Sequence, residues 1–244
     1  MNCDQACISK SLVGLTTNYR KKYKLKPYYD SLKPCAFIGM YRDVDFNRFI
    51  NHRSDRILIF AGSDALNLNP DWVSAIKKRA TVIYSISQYV YDTLQSYGID
   101  SVIKRYSATI ATQWKNSPMG DSIYWYYGKG AETFYGSELI EQIEQQIDIP
   151  IIKAHLGSFT KKQLHDIYSQ CFINLRLTPH DGCPNSNLQM GLMGRKSIYN
   201  GDLPYSLKWD SVDDIVAHIK REYRNRNKPN HQISSEFFTF VKNN

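Results

Sequence analysis

Apolar and polar positions follow two rhythms along this chain: short unbroken apolar runs, and longer stretches with apolar residues three and four apart. Residues 35–41 (CAFIGMY), 56–62 (RILIFAG), 81–87 (TVIYSIS) and 101–108 (SVIKRYSA) predict buried strands. Between them, residues 43–53 put Phe46, Phe49 and Ile50 on one helical face. Asn69-Pro70-Asp71-Trp72 has the proline of a helix start, and residues 88–98 predict a helix closed by Gly98.

Residues 112–120 (TQWKNSPMG) break the alternation with polar residues, Pro118 and Gly120, and predict a linker over 113–120. The alternation then restarts. Strands are predicted at 122–128, 149–155, 171–178 and 196–201, and helices at 137–147, 160–170, 187–194 and 211–223, with Ser137, Thr160 and Ser211 as N-caps. Residues 234–242 predict a last helix that packs back on the body. Strand–helix alternation with short connections implies parallel α/β structure. The expected organisation is two Rossmann-like domains facing across a cleft, 1–112 and 121–225, with a tail at 226–244 and the first domain abbreviated. Ligands of such sheets bind beyond the carboxyl ends of the strands.

Composition narrows the class. With 42% apolar residues and only 13 Gly and 9 Pro in 244, the chain is neither disordered nor collagen-like. No run approaches the ~20 apolar residues of a membrane span, and the first residues lack the basic segment of a signal peptide. The expectation is a soluble, cytoplasmic protein. Cys3, Cys7, Cys35, Cys171 and Cys183 form an odd set without zinc-like pairing, so reduced thiols are expected and no metal. The excess of 31 Lys+Arg over 23 Asp+Glu is concentrated in Arg20-Lys21-Lys22 with Lys24 and Lys26, and again in Arg221, Arg224, Arg226 and Lys228. It fits an anionic partner or a solvated basic surface, including peripheral contact with a membrane through the basic N-terminal region. No nucleic-acid-binding motif accompanies it, so nucleic acid is not expected as a partner.

The densest chemistry lies in residues 176–201, RLTPHDGCPNSNLQMGLMGRKSIYNG. A strand ends near Thr178, and a Pro/Gly/Asn-rich turn delivers His180, Asp181 and Gly182. Asn185 and Ser186 stand where a helix begins, so their backbone N–H groups offer a site for phosphate. Gln189 falls one turn inside that helix, eight positions after Asp181, and Asn200-Gly201 ends the next strand toward the same opening. Arg176, on an otherwise apolar strand, either points to a cleft or pairs with an acid, because an unpaired buried charge is costly. Lys129, between Gly128 and Gly130, is placed to reach a diphosphate. Arg195 either faces solvent or reaches a phosphate.

Residues 121–225 resemble the donor-binding half of a GT-B glycosyltransferase, close to glycosyltransferase family 4. The family's hallmark is a Glu-Gly turn with a second Glu eight positions after the first, on a short helix that leads into Ala/Gly-rich residues and a strand. Asp181-Gly182 matches the first element, Gln189 the second, and residues 191–198 the segment that leads into the strand. More weakly, residues 84–99 resemble the end of the acceptor-side domain. The resemblance implies a retaining, metal-independent transfer from a UDP- or GDP-sugar to a glycan or other hydroxyl acceptor. Asp181 would face the sugar and Gln189 the ribose, with no cofactor beyond the donor itself. Two departures matter. Asp is one methylene shorter than Glu, and Gln replaces a charged acceptor with a neutral amide, a loss of about 1–2 kcal/mol at that contact. The short first half also predicts loss of a strand or of the Gly-rich first loop.

In the first half, Gly62-Ser63-Asp64 ends a strand. Asp64 either orients an acceptor hydroxyl or caps a turn, and Gly39, ending the preceding strand, allows close approach of a ligand. The alternative to an active transferase is a degenerate relative that binds sugar or nucleotide without turnover.

Overall fold

The computed structural model describes residues 3–128, 130–154 and 159–244. It divides into two compact units, residues 1–109 with Asn244, and residues 110–243. Each is a parallel sheet flanked by helices.

The first unit runs β1 (Gln5–Ile8), α1 (Val13–Tyr23), β2 (Lys26–Pro27), β3 (Cys35–Ile38), α2 (Asp43–Asn51), β4 (Arg56–Phe60), α3 (Ser63–Leu66), α4 (Val73–Arg79), β5 (Val82–Ser85), α5 (Gln88–Ser96) and β6 (Val102–Ile103). Its six strands are ordered β2-β1-β3-β4-β5-β6 and all pairs are parallel. Strands β3 and β4 are buried along their whole length, as their apolar runs predict.

Hydrophobic pattern alone does not reveal β1, β2 and α1. Strand β1 opens on Gln5, which is fully buried and reads as polar punctuation. Its amide donates to the carbonyls of Asp30 and Lys33 (2.6 and 3.0 Å) and accepts from the backbone N–H groups of Tyr29 and Asp30, tying down the loop before β3. Helix α1 has no side-chain cap and a glycine in its first turn, but Arg20, Lys21 and Lys22 fill its last turn, where the helix dipole favours cations. The sheet has six strands among the described residues. The turn between β1 and α1, residues 9–12, carries no glycine.

The second unit runs β7 (Ser122–Tyr126), α6 (Ser137–Glu144), β8 (Ile151–Ala154), α7 (Lys161–Ser169), β9 (Cys171–Leu175), α8 (Asn185–Leu192), β10 (Lys196–Ile198), β11 (Ser206–Leu207), α9 (Val212–Asn225) and α10 (His231–Asn243). Its parallel strands are ordered β11-β10-β9-β7-β8. Thr160 and Ser211 cap α7 and α9 through reciprocal boxes with Gln163 and Asp214. Ser137 is instead the first residue of α6, behind a left-handed Gly136 at the cap. Helix α10 packs against α8 and sends Phe237 and Val241 into the core with Leu188 and Met190.

Arg195 neither faces solvent nor is free for phosphate. It is completely buried, and its guanidinium gathers backbone carbonyls: Cys171 through Nε (3.1 Å), Ser117 and Met193 through Nη1, and Pro118 through Nη2 (2.6 Å). Burial pushes its pKa down to about 10, so it stays cationic at neutral pH. These bonds fasten residues 117–118 to the rest of the second unit. Asn230 supports the same segment, donating to Ser117 and Met193 and accepting from Asn116. Arg195→Met leaves several buried carbonyls without donors. It should lower unfolding free energy by about 3 kcal/mol or more in a urea melt, and a variant within experimental error of wild type contradicts this role.

Candidate functional site

In a doubly wound sheet a crevice opens where neighbouring strands send their connections to opposite faces. The strand order places that point between β7 and β9 in the second unit. The segments leaving it are residues 127–136 after β7 and residues 176–184 after β9.

Arg176 is the first residue beyond β9. Its N–H donates to the Ile198 carbonyl at 3.0 Å, which fixes the backbone, and the residue is 9% exposed. The guanidinium carbon lies 4.7 Å from the ring centres of both Tyr126 and Tyr135, and each ring stabilises a cation through its quadrupole. Nε (2.6 Å) and Nη2 both donate to Oδ2 of Asp181. Among the described residues no hydrogen bond engages Oδ1, so the acid is held by one oxygen and presents the other. Burial alone would lower the arginine pKa, but Asp181 and Tyr135 outweigh it and hold the group above its ordinary value. The charge is permanent.

Two further contacts fix the frame. Tyr199, buried beneath the turn, donates to the carbonyls of Asp181 and Gly182 (3.2 and 3.4 Å), and burial keeps its phenol protonated. The connection after β7 folds back against β9. Trp125 Nε1 donates to the Tyr135 carbonyl at 2.9 Å, a side chain at Gly128 would collide with the Tyr135 ring, and Gly136 (φ +84°) meets Leu177 closely. His180 stands edge-on to Phe134 at 5.0 Å.

Helix α8 starts at Asn185 behind Pro184, with Ser186 buried in its first turn. Gln189 comes next on this helix, and its Oε1 accepts from Tyr168 at 3.0 Å, while the Tyr168 ring packs edge-on to Tyr124 with centroids 4.9 Å apart. This bond fixes the amide, whose Nε2 makes no hydrogen bond among the described residues. Lys129 lies outside the described residues. Gly201 lies against the Tyr199 hydroxyl, and Asn200 and Gly201 are bound within their own turn. Their carbonyls take Lys208 Nζ (2.6 and 2.8 Å), and the Asn200 amide bonds the backbone of Trp209, so they close their own turn. Among the described residues no cluster of His, Cys, Asp and Glu could hold a metal ion, and no helix is long and apolar enough to cross a membrane.

The fold is that of the GT-B glycosyltransferases. The chain superposes on S. aureus TarM, solved with fondaparinux, alpha-GlcNAc-glycerol and UDP, with a TM-score of 0.60 and 8% identity over 94% of this chain. Anabaena HepE, solved with UDP and glucose, gives 0.62 at 7% identity over 94%, and sucrose-phosphate synthase from Thermosynechococcus elongatus 0.61 at 10% over 95%. The chain spans 55% of the length of TarM, and 79% and 75% of the other two. At such identities the likeness is one of fold. No family model matches the sequence, and no curated protein does.

In the first unit the corresponding switch point lies between β1 and β3, and Gly39 directly follows β3 there. Ser63 is exposed at the start of α3. Asp64 is buried and serves the backbone: Oδ2 accepts from Met40 N–H and Oδ1 from Ala61 N–H, both at 2.9 Å, joining the turns after β3 and β4. Burial raises its pKa from 3.8 to about 6 against the pull of those donors. An acid with a raised folded pKa favours the fold while protonated, and that advantage disappears as pH rises through the folded value. Relative to Asp64→Asn, wild type should therefore lose about 3 kcal/mol between about pH 4 and pH 6 and stay level above. Urea melts across that range check it, and a pH-independent difference contradicts it.

Proposed function

We propose that this protein is a glycosyltransferase that moves a sugar from a nucleotide-sugar donor, a UDP- or GDP-sugar, to a hydroxyl of a glycan or similar acceptor. The observation that carries the reading is the Arg176–Asp181 pair at the crevice of a GT-B-type donor unit, eight residues before Gln189 on α8. Resemblance to family 4 extends the reading to retention of configuration and to catalysis without a metal.

In this reading Asp181 Oδ1 meets the transferred sugar and Gln189 Nε2 donates to a ribose hydroxyl. The departing diphosphate is stabilised by N–H groups at the start of α8 (Asn185, Ser186) and by Lys129, with the turn at His180 and Gly182 shaping the sugar pocket. Arg176 acts through Asp181, since its Nε/Nη2 edge is already engaged by that carboxylate while Tyr126 and Tyr135 pack against it. On the acceptor side, Gly39 leaves room for the ligand, Ser63 offers a hydroxyl, and Asp64 shapes the turn between them. Gln189, neutral and with its oxygen taken by Tyr168, favours a second reading, a binder without turnover. Product formation with any acceptor separates the two.

Calorimetric titration with UDP-, GDP- and ADP-sugars and the free nucleotides tests the donor site. One nucleotide-sugar should bind, about tenfold more weakly with Asp181→Ala and about tenfold more tightly with Gln189→Glu. No binding by any of them to folded protein overturns the reading. Arg176→Met should weaken the nucleotide-sugar as Asp181→Ala does, yet leave the free nucleoside diphosphate within about twofold, with no additivity in the double variant. Equal losses for both ligands would make Arg176 a phosphate ligand instead.

A further inference from the structure

The net charge is divided unequally. Residues 1–109 contain 16 Lys and Arg against 9 Asp and no Glu, while the rest of the chain has 15 against 14. Within the first unit the asymmetry has a direction. All six strands are parallel, so the starts of the strands and the last turns of the helices that return to them share one edge. Seven cations lie in the last turns of α1, α2 and α4. Lys24, Lys26, Lys33, Arg53 and Arg56 lie in or beside the strand starts, which brings the edge to 12 cations against Asp4, Asp30, Asp55 and Asp100; of these cations, Arg56 is buried and donates to the carbonyls of Phe49 and Arg79. The remainder of the unit has 4 cations and 5 acids. The helix dipole accounts for cations in last turns, but not for those in the connecting loops.

Apolar surface sits among these cations. Leu32 is 67% exposed and Tyr29 49%, and the amino groups of Lys33 and Lys26 lie 5.2 and 6.0 Å from the Tyr29 ring. Gln5 holds this loop through Tyr29, Asp30 and Lys33, Tyr29 donates to Asp4, and Ser31 accepts from Arg53 N–H. The loop is thus an ordered part of the edge. We infer that the strand-start edge of the first unit docks on an anionic lipid surface, the cations meeting headgroups while Leu32 and Tyr29 enter the interface. A soluble polyanion would use the same cations and leave the two apolar side chains without a role. Docking by this edge leaves the opposite one, with Gly39 and the Asp64 turn, facing water.

The full chain is co-sedimented with vesicles of phosphatidylcholine alone and of equal parts phosphatidylcholine and phosphatidylglycerol. Binding is expected only to the anionic vesicles, weakening steeply with salt. Lys26→Ala, Lys33→Ala, Lys77→Ala and Lys78→Ala should each weaken it about fivefold. Leu32→Ser should weaken vesicle binding severalfold and leave retention on heparin unchanged. All five positions are exposed, and unchanged melting temperatures check the variants' folding. Failure to bind anionic vesicles, equal binding to neutral ones, or indifference to both the lysine and the Leu32 changes overturns the inference. Donor binding is read separately, so the transferase reading stands or falls on its own.

Discussion

An arginine at the end of β9 keeps its charge at every pH a protein meets, and the surroundings of the second unit's crevice are arranged around that charge. Burying it alone would be prohibitive. Two tyrosine faces and one carboxylate oxygen accommodate it, and each partner is fixed by something further: Tyr135 by Trp125 and the glycines at 128 and 136, and the Asp181 turn by Tyr199. The result is an acid oriented before any ligand arrives. Preorganisation of this kind favours interactions that strengthen as charge develops during reaction, because no reorganisation is then needed.

The same economy recurs at Gln189, where the Tyr168 hydroxyl fixes a neutral amide through its oxygen. Asp181 and Gln189 are each held by one polar atom and offer the other. Asp64 and Arg195 show the contrast. Every hydrogen bond that these two buried charges make, apart from that between Arg195 and the Ser117 hydroxyl, goes to backbone, and their work is to hold turns and a connecting segment in place.

Much of the fold is legible from apolar periodicity, because β3, β4, β7 and β9 are largely buried apolar runs, and Ser87, Thr160 and Ser211 cap α5, α7 and α9. What escapes has a physical cause. Strand β1 opens on a polar residue that is buried because its amide replaces water for a loop, and α1 is stabilised by cations at its end rather than by a cap. At the site, an arginine on an apolar strand end already demands a partner, and Asp181 was within reach in sequence. Its aromatic partners were not legible, since Tyr126 reads as core and Tyr135 reaches Arg176 only when the connection folds back. Arg195 misleads for the opposite reason: it comes just after a helix end, where arginines are usually solvated, and backbone carbonyls leave no sequence signature.

The central claim is that the ends of β7 and β9 form a nucleotide-sugar site. Amide NMR during titration with the nucleotide-sugar of highest affinity tests it most directly. Shifts concentrated in residues 127–136 and 176–189, together with Tyr199, are the predicted result. Shifts confined to the first unit, or to the strand starts of the second, would contradict the account.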